Sequence, residues 1–160
     1  MVNYMNLEVQ VDADFTRARR RAFLRRAKAR LTNDLLSASM PSFEEVRKRL
    51  GAQQGGLRLG RRVVRIEQIV GSVGRSSHFD AGFMPAKASL QSRWKRVDRA
   101  FHRGMELPPV VLYKLGDSYY VLDGNHRVSV ARYHGVEMIE AEVTAFGARL
   151  PIVRSQASAA

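Results

Sequence analysis

Tyr119-Tyr120-Val121-Leu122-Asp123-Gly124-Asn125-His126-Arg127-Val128-Ser129-Val130-Ala131-Arg132 changes its hydrophobic period in the middle. The β-branched and aromatic run up to Leu122 reads as a buried strand, and from Asn125 onward Val128, Ala131 and the ring of Tyr133 fall at helical spacing. A strand therefore turns sharply into a helix through Asp-Gly-Asn-His-Arg. Gly124 has no Cβ, which permits an unusual backbone angle and a close ligand approach. Asn125 is read as the N-cap. The backbone N–H groups that follow have no helical partner, and the helix dipole adds positive potential there, an arrangement suited to phosphate. Arg127 contributes a planar cation that can grip phosphate oxygens in pairs. The plainer reading is an ordinary tight connection with a solvated arginine.

Outward from this turn the pattern is regular. The prolines of Glu106-Leu-Pro-Pro-Val110 set an extended entry to a strand over 110–115, and Gly116-Asp117 is a two-residue hairpin turn into Tyr119–Leu122. Gly135 ends the helix, and residues 136–145 form a last strand with Ile139, Ala141 and Val143 inward and Glu140 and Glu142 outward. Before the turn, Leu90, Trp94, Val97 and Phe101 make the apolar face of a helix over about 88–103, with Arg93, Arg96, Arg99 and Arg103 on its other side. Val63 to Val70 alternates as a strand and ends in Gly71-Ser-Val-Gly-Arg75, a glycine-rich loop in which Arg75 is a second candidate for an anion. His78 follows it as a candidate base.

The segment from Leu107 to Phe146, and with Val63 onward about the last two-thirds of the chain, resembles the core of the ParB/sulfiredoxin superfamily. Members carry a Gly-x-x-Arg turn at this helix start and hold nucleotide phosphates there. The resemblance implies Gly124, His126 and Arg127 as phosphate-binding positions, with Arg75 approaching from the neighbouring loop; the backbone at Asn125, within the same turn, joins them as a phosphate contact. Sulfiredoxins place a catalytic cysteine between the glycine and the histidine, where this chain has Asn125; with no cysteine anywhere, their thiolate chemistry is excluded. ParB partitioning proteins carry a glutamate in this turn, implicated in nucleotide hydrolysis, and Asn125 cannot replace it as a base. Free-serine kinases of the superfamily, with Asp-Gly-His-His-Arg, look closer. That likeness implies Asp123 and His126 as catalytic candidates, with a further carboxylate required from Glu67, Glu106 or Asp80. The cofactor so implied is a nucleoside triphosphate, CTP or ATP, carrying Mg²⁺; no other metal site is assigned.

Composition narrows the partners. The net charge is +12 over 160 residues, and residues 1–62 hold 14 Lys/Arg against 6 Asp/Glu, so two-thirds of the excess lies in the first part. Such asymmetry is the electrostatic footprint of a nucleic-acid binder, and equally of a solvated arginine-rich surface. The absence of cysteine removes disulfides and thiolate zinc sites. No apolar run approaches the ~18 residues of a membrane span and no secretory pattern opens the chain, so a cytoplasmic protein without membrane contact is expected.

The first part reads as helical. Leu7 to Val11 is extended; Asp12 or Asp14 then caps a helix from Phe15 to about Leu36, with Phe23, Leu24, Ala27, Leu31 and Leu35 on its apolar side. Arg19, Arg20, Arg21, Arg25, Arg26 and Arg30 cover the remainder and, with Arg93 and Arg96, are the candidate nucleic-acid contacts. Pro41 and a Ser42-Phe-Glu-Glu45 capping box start a short helix, and Gly51-Ala-Gln-Gln-Gly-Gly is a flexible break in which the boundary to the core is placed, around residues 51–60.

The expectation is an α+β protein: a basic helical extension over 1–58, a ParB-like core of a small mixed sheet with packed helices over 59–146, and a loose tail over 147–160. Nucleotide and nucleic-acid binding is the first reading, and a homodimer is left open. A phosphotransferase or nucleotide hydrolase is the second, and a scaffold docking on nucleic acid or a ribonucleoprotein through its arginines the third. No helix-turn-helix for reading an operator is evident.

Overall fold

A computed structural model describes residues 4–147; the expected tail lies outside the described residues apart from Gly147. Helices α1 (Tyr4–Leu31), α2 (Leu35–Ala38) and α3 (Phe43–Arg49) precede strand β1 (Gly56–Arg65), a 3₁₀ turn over Ile66–Gln68, and β2 (Ile69–Ser72). A second 3₁₀ turn leads into α4 (Gln91–His102), then β3 (Val110–Leu115), β4 (Ser118–Asp123), α5 (Asn125–Tyr133) and β5 (Met138–Phe146). The five strands form one mixed sheet in the order β1-β5-β3-β4-β2. Neighbours β1/β5 and β3/β4 are antiparallel, while β3/β5 and β2/β4 are parallel. This is the expected α+β class, with helices packed on a small mixed sheet.

Strand alternation places Leu112, Val121, Ala141 and Val143 on the face covered by α1, α4 and α5, where Trp94 is fully buried. Trp94 rests beside Phe15 and Tyr133 at ring-centroid distances of 5.7 and 5.6 Å, and its indole N–H donates to Ser129 Oγ at 2.8 Å. Tyr113, Leu115 and Tyr120 turn the other way and meet Phe43 of α3 in a smaller apolar cluster.

Five local expectations are corrected. The strand expected over Val63–Val70 is two strands on opposite edges of the sheet. Val64 and Ile66 keep a period of two, but Ile66 and Ile69 are buried three apart, as a 3₁₀ turn requires. Arg132 stabilises that turn, its Nη2 donating to the carbonyls of Ile66 and Ile69 at 3.0 and 2.8 Å. The boundary region around 51–60 is in part the beginning of β1, paired from Gly56 with Phe146.

The first helix starts at Tyr4, so Leu7–Val11 is helical and not extended. Leu7, Val11, Phe15, Ala18, Ala22 and Ala29 recur every three, four or seven residues and are buried. Phe23, Leu24, Leu31 and Leu35, expected on the packed side, are exposed; alanines face the core instead, which lets the α1 backbone approach closely. Asn33 takes a positive φ of 55° and the Asp34 N–H donates to the Ala29 carbonyl at 2.8 Å, so the helix ends in a Schellman closure well before Leu36.

Helix α1 is bound to the body of the protein. Phe15, Ala18 and Ala22 belong to the main core cluster, Lys95 pairs with Asp12 at 2.6 Å, and Arg99 pairs with Glu8 at 2.6 Å. Among the described residues no helix is long and apolar enough to cross a membrane.

Candidate functional site

Strand β4 delivers the chain to α5 through Gly124, whose φ is +103°. Glycine is needed here for two reasons. The angle is one that L side chains rarely adopt, and a Cβ would lie 2.6 Å from Val110 Cγ1, in the core. Gly124 is therefore the N-cap, and Asn125, expected in that role, is the first helical residue. The first helical hydrogen bond runs from the Val128 N–H to the Gly124 carbonyl, so the N–H groups of residues 125–127 head the helix without partners inside it.

This turn forms one wall of a cleft of about 760 Å³. The loop after β2 supplies Arg75, His78 and Phe79; the start of α4 supplies Ser89, Ser92, Arg93 and Arg96; and residues 122–127 complete it. The structure thus brings Arg75, Asp123, Gly124, Asn125, His126 and Arg127 together with Arg93 and Arg96, two arginines that the sequence assigned to a nucleic-acid surface. Arg75, Arg93 and Arg96 make no ion pair among the described residues, so the cleft carries positive charge not balanced by acids.

Two atoms in this wall are unsatisfied. Asn125 is 8% exposed, and its Oδ1 is buried with no hydrogen-bond partner; the same holds for His126 Nδ1. A buried polar atom without a partner is costly, and both residues line the cleft. A half-turn of the amide exchanges its oxygen and nitrogen, so Asn125 can accept or donate. Burial pushes the His126 imidazole down from 6.5 to about 4, and the charges of Arg93, Arg75 and His78 push the same way. At neutral pH His126 is uncharged, with one donor and one acceptor nitrogen. Its ring lies edge-on to Phe79 at 5.3 Å. His78 is also held below the usual range, by burial and then by Lys87 and Arg75.

Arg127 is placed differently from a free phosphate clamp. Its Nη1 donates to the carbonyls of Pro108 and Pro109 at 2.6 and 2.8 Å, and Nη2 to Asp123 Oδ2 at 2.7 Å. The side chain braces the entry to β3 and aligns Asp123, whose carboxylate is otherwise exposed. Among the described residues, Asp123 is the one carboxylate lining the cleft. Glu67 and Glu106 line other depressions, and Asp80 binds the N–H groups of Gly82 and Met84 at 2.9 Å and pairs with Arg25. The structure does not bring the second carboxylate of the transferase reading to Asp123.

The α1 arginines divide into two groups. Arg21 lies over the Tyr133 ring at 4.7 Å, and Arg25 pairs with buried Asp80, so both anchor the helix. Arg19 and Arg26 border a depression of about 500 Å³ next to the Arg75 loop, and Arg20 and Arg30 are exposed. A further depression of about 670 Å³ is lined by Arg25, Arg65 and Arg132, but each is engaged, by Asp80, by Glu67 and by backbone carbonyls respectively.

Ser89, Ser92 and Phe79 are the lining residues the sequence did not single out. Two serines ahead of Arg93 at a helix start were the available signal.

No protein-family model matches the chain, and no curated protein matches it. Among solved structures, sulfiredoxin from Arabidopsis thaliana is similar at 14% identity and a TM-score of 0.39, over 52% of this chain and 82% of that one.

Proposed function

We propose that the chain binds a nucleoside phosphate in the cleft at the start of α5, as a binding protein of ParB-like type. The observation that carries this reading is the pair of partnerless buried atoms, Asn125 Oδ1 and His126 Nδ1, at a helix N-terminus faced by Arg75, Arg93 and Arg96. Helix N–H groups and arginines suit the phosphates, and the volume of about 760 Å³ admits a nucleotide-sized ligand. Asp123, with one carboxylate oxygen taken by Arg127, keeps the other for a ribose hydroxyl or for Mg²⁺ arriving with a triphosphate. The Asp-Gly-Asn-His-Arg turn and its resemblance to the ParB/sulfiredoxin superfamily support the same ligand class. A single carboxylate in the cleft among the described residues favours binding over transfer or hydrolysis, which need a placed base in addition to phosphate contacts.

Association with nucleic acid is a second, separable part of the proposal. It rests on the exposed Arg20, Arg26 and Arg30 together with the net charge of +12.

Calorimetric titration of CTP, ATP and GTP with Mg²⁺ into the wild type and into Arg93→Gln/Arg96→Gln tests the nucleotide reading. Saturable binding of one nucleotide, weakened at least tenfold in the double variant, is expected. Absence of binding by all three would leave the fold as a scaffold with basic helices.

A further inference from the structure

Away from this cleft, α1, α4 and the end of α5 bring four metal-ligating side chains to one point. Asp14 comes from α1, Asp98 and His102 from successive turns of α4, and His134 from the residue that closes α5. One donor atom from each lies within 4.8 Å of all the others. Both imidazoles present Nε2: His102 is 2.8 Å from Asp14 Oδ2 and 3.6 Å from Asp98 Oδ2, and His134 is 2.6 Å from Asp98 Oδ1. A tetrahedral ion with ~2.0–2.1 Å bonds separates its ligands by about 3.3 Å, so these spacings straddle that edge length and shifts of about an ångström would close the sphere.

The acids are what make the arrangement unusual. Asp98 is fully buried and Asp14 is 4% exposed, yet Asp98 Oδ2 has no hydrogen-bond partner and points into the cluster. Two buried carboxylates meet here with, among the described residues, only the exposed Arg17 as a basic side chain against Asp14 besides the two imidazoles, and a divalent cation bound between them would supply positive charge and a partner for Asp98 Oδ2. The outer contacts of a metal site are also in place: the Tyr133 hydroxyl donates to Asp14 Oδ1 at 2.8 Å, and Arg17 approaches the same oxygen at 3.5 Å. His102 and His134 keep 16% of their side chains exposed, which gives an ion a route in.

We propose that Asp14, Asp98, His102 and His134 form a binding site for a divalent transition ion of the zinc class, closing α1 onto α4 and α5. Two imidazoles and two carboxylates select zinc or cobalt over Mg²⁺, which prefers an all-oxygen octahedron. Four protein donors fill a tetrahedral sphere, as in structural sites, so the ion holds helices and leaves no position for substrate. The site is independent of the nucleotide reading and stands if that reading fails.

The test is zinc titration of untagged, metal-free full-length protein by calorimetry, repeated with Co²⁺ followed by visible absorption. About one equivalent of zinc is expected, with intense tetrahedral cobalt bands and a melting temperature raised by about 5–10 °C at free zinc a hundredfold above Kd. His102→Gln and Asp98→Asn should each lose at least tenfold in affinity, whereas His78→Gln/His126→Gln should retain it, since those two imidazoles lie in the other cleft. No zinc uptake by the wild type, or uptake unchanged in both cluster variants, overturns the proposal. If either cluster variant does not fold, zinc-edge X-ray absorption of the wild type decides alone: four N/O ligands including two imidazoles support the site, and an octahedral shell or fewer imidazoles overturns it.

Discussion

Acid should weaken this fold through His126 in a way that one substitution reveals. Burial first, then the charges of Arg93 and Arg75 and, on protonation, His78, hold the folded imidazole near 4, against 6.5 when exposed. Above pH 6.5 the group is neutral in both states. Between 6.5 and 4 the unfolded chain takes up a proton that the folded chain refuses, so unfolding becomes easier as pH falls, and below 4 the contribution is gone. A difference of about 2.5 pH units at 1.36 kcal/mol each gives a loss of about 3 kcal/mol between pH 7 and 4. Urea unfolding followed by fluorescence of Trp94, the single and fully buried tryptophan, measures it at successive pH values. Other groups titrate in the same window, so the readout is the difference between wild type and His126→Gln. The stability advantage of the wild type over the variant should shrink by about 3 kcal/mol from pH 7 to 4. Parallel profiles, within about 0.5 kcal/mol, would refute the buried neutral imidazole and with it this description of the cleft.

Other perturbations follow from the same geometry. Gly124→Ala places a Cβ 2.6 Å from Val110 Cγ1 at a φ of +103°, and should cost about 2–5 kcal/mol in denaturant unfolding, from backbone strain together with overpacking. Arg127→Ala strands the Pro108 and Pro109 carbonyls and should lower stability by about 2–3 kcal/mol in the same assay even without ligand, so lost binding in that variant would not by itself identify a phosphate contact. For nucleic acid, anisotropy titrations across salt should give a steep slope of log K against log salt, and Arg20→Gln/Arg26→Gln/Arg30→Gln should flatten it by about 2–3. A slope unchanged by the triple substitution would move the contact away from α1.

The turn at Gly124 was legible because its chemistry is local. A strand period, a glycine forced by backbone angle, and a helical period follow one another within fourteen residues, and the hairpin at Gly116-Asp117 fixes the partner strand. The cleft was legible in part: its loop and turn could be placed from sequence, but Arg93 and Arg96 join it only because α4 packs against both. The face of α1 was misread since Ala18, Ala22 and Ala29 look like surface residues, whereas Phe23 and Leu31 look like core. Close helix approach selects for small side chains, and that depends on tertiary geometry. The acid–imidazole cluster left one signal, Asp98 four residues after Trp94 in the apolar stripe of α4 with His102 four further on. Its partners Asp14 and His134 are distant in the chain, and only the packing of three helices unites them.

The most direct test of the central claim is residue-resolved amide NMR of the full chain during titration with each Mg²⁺-nucleotide. The account predicts saturable shifts concentrated at the amides of Gly124 to Arg127 and of Arg75, with the His126 ring responding at the same ligand concentrations. Shifts confined to α1, or none at all, would contradict it.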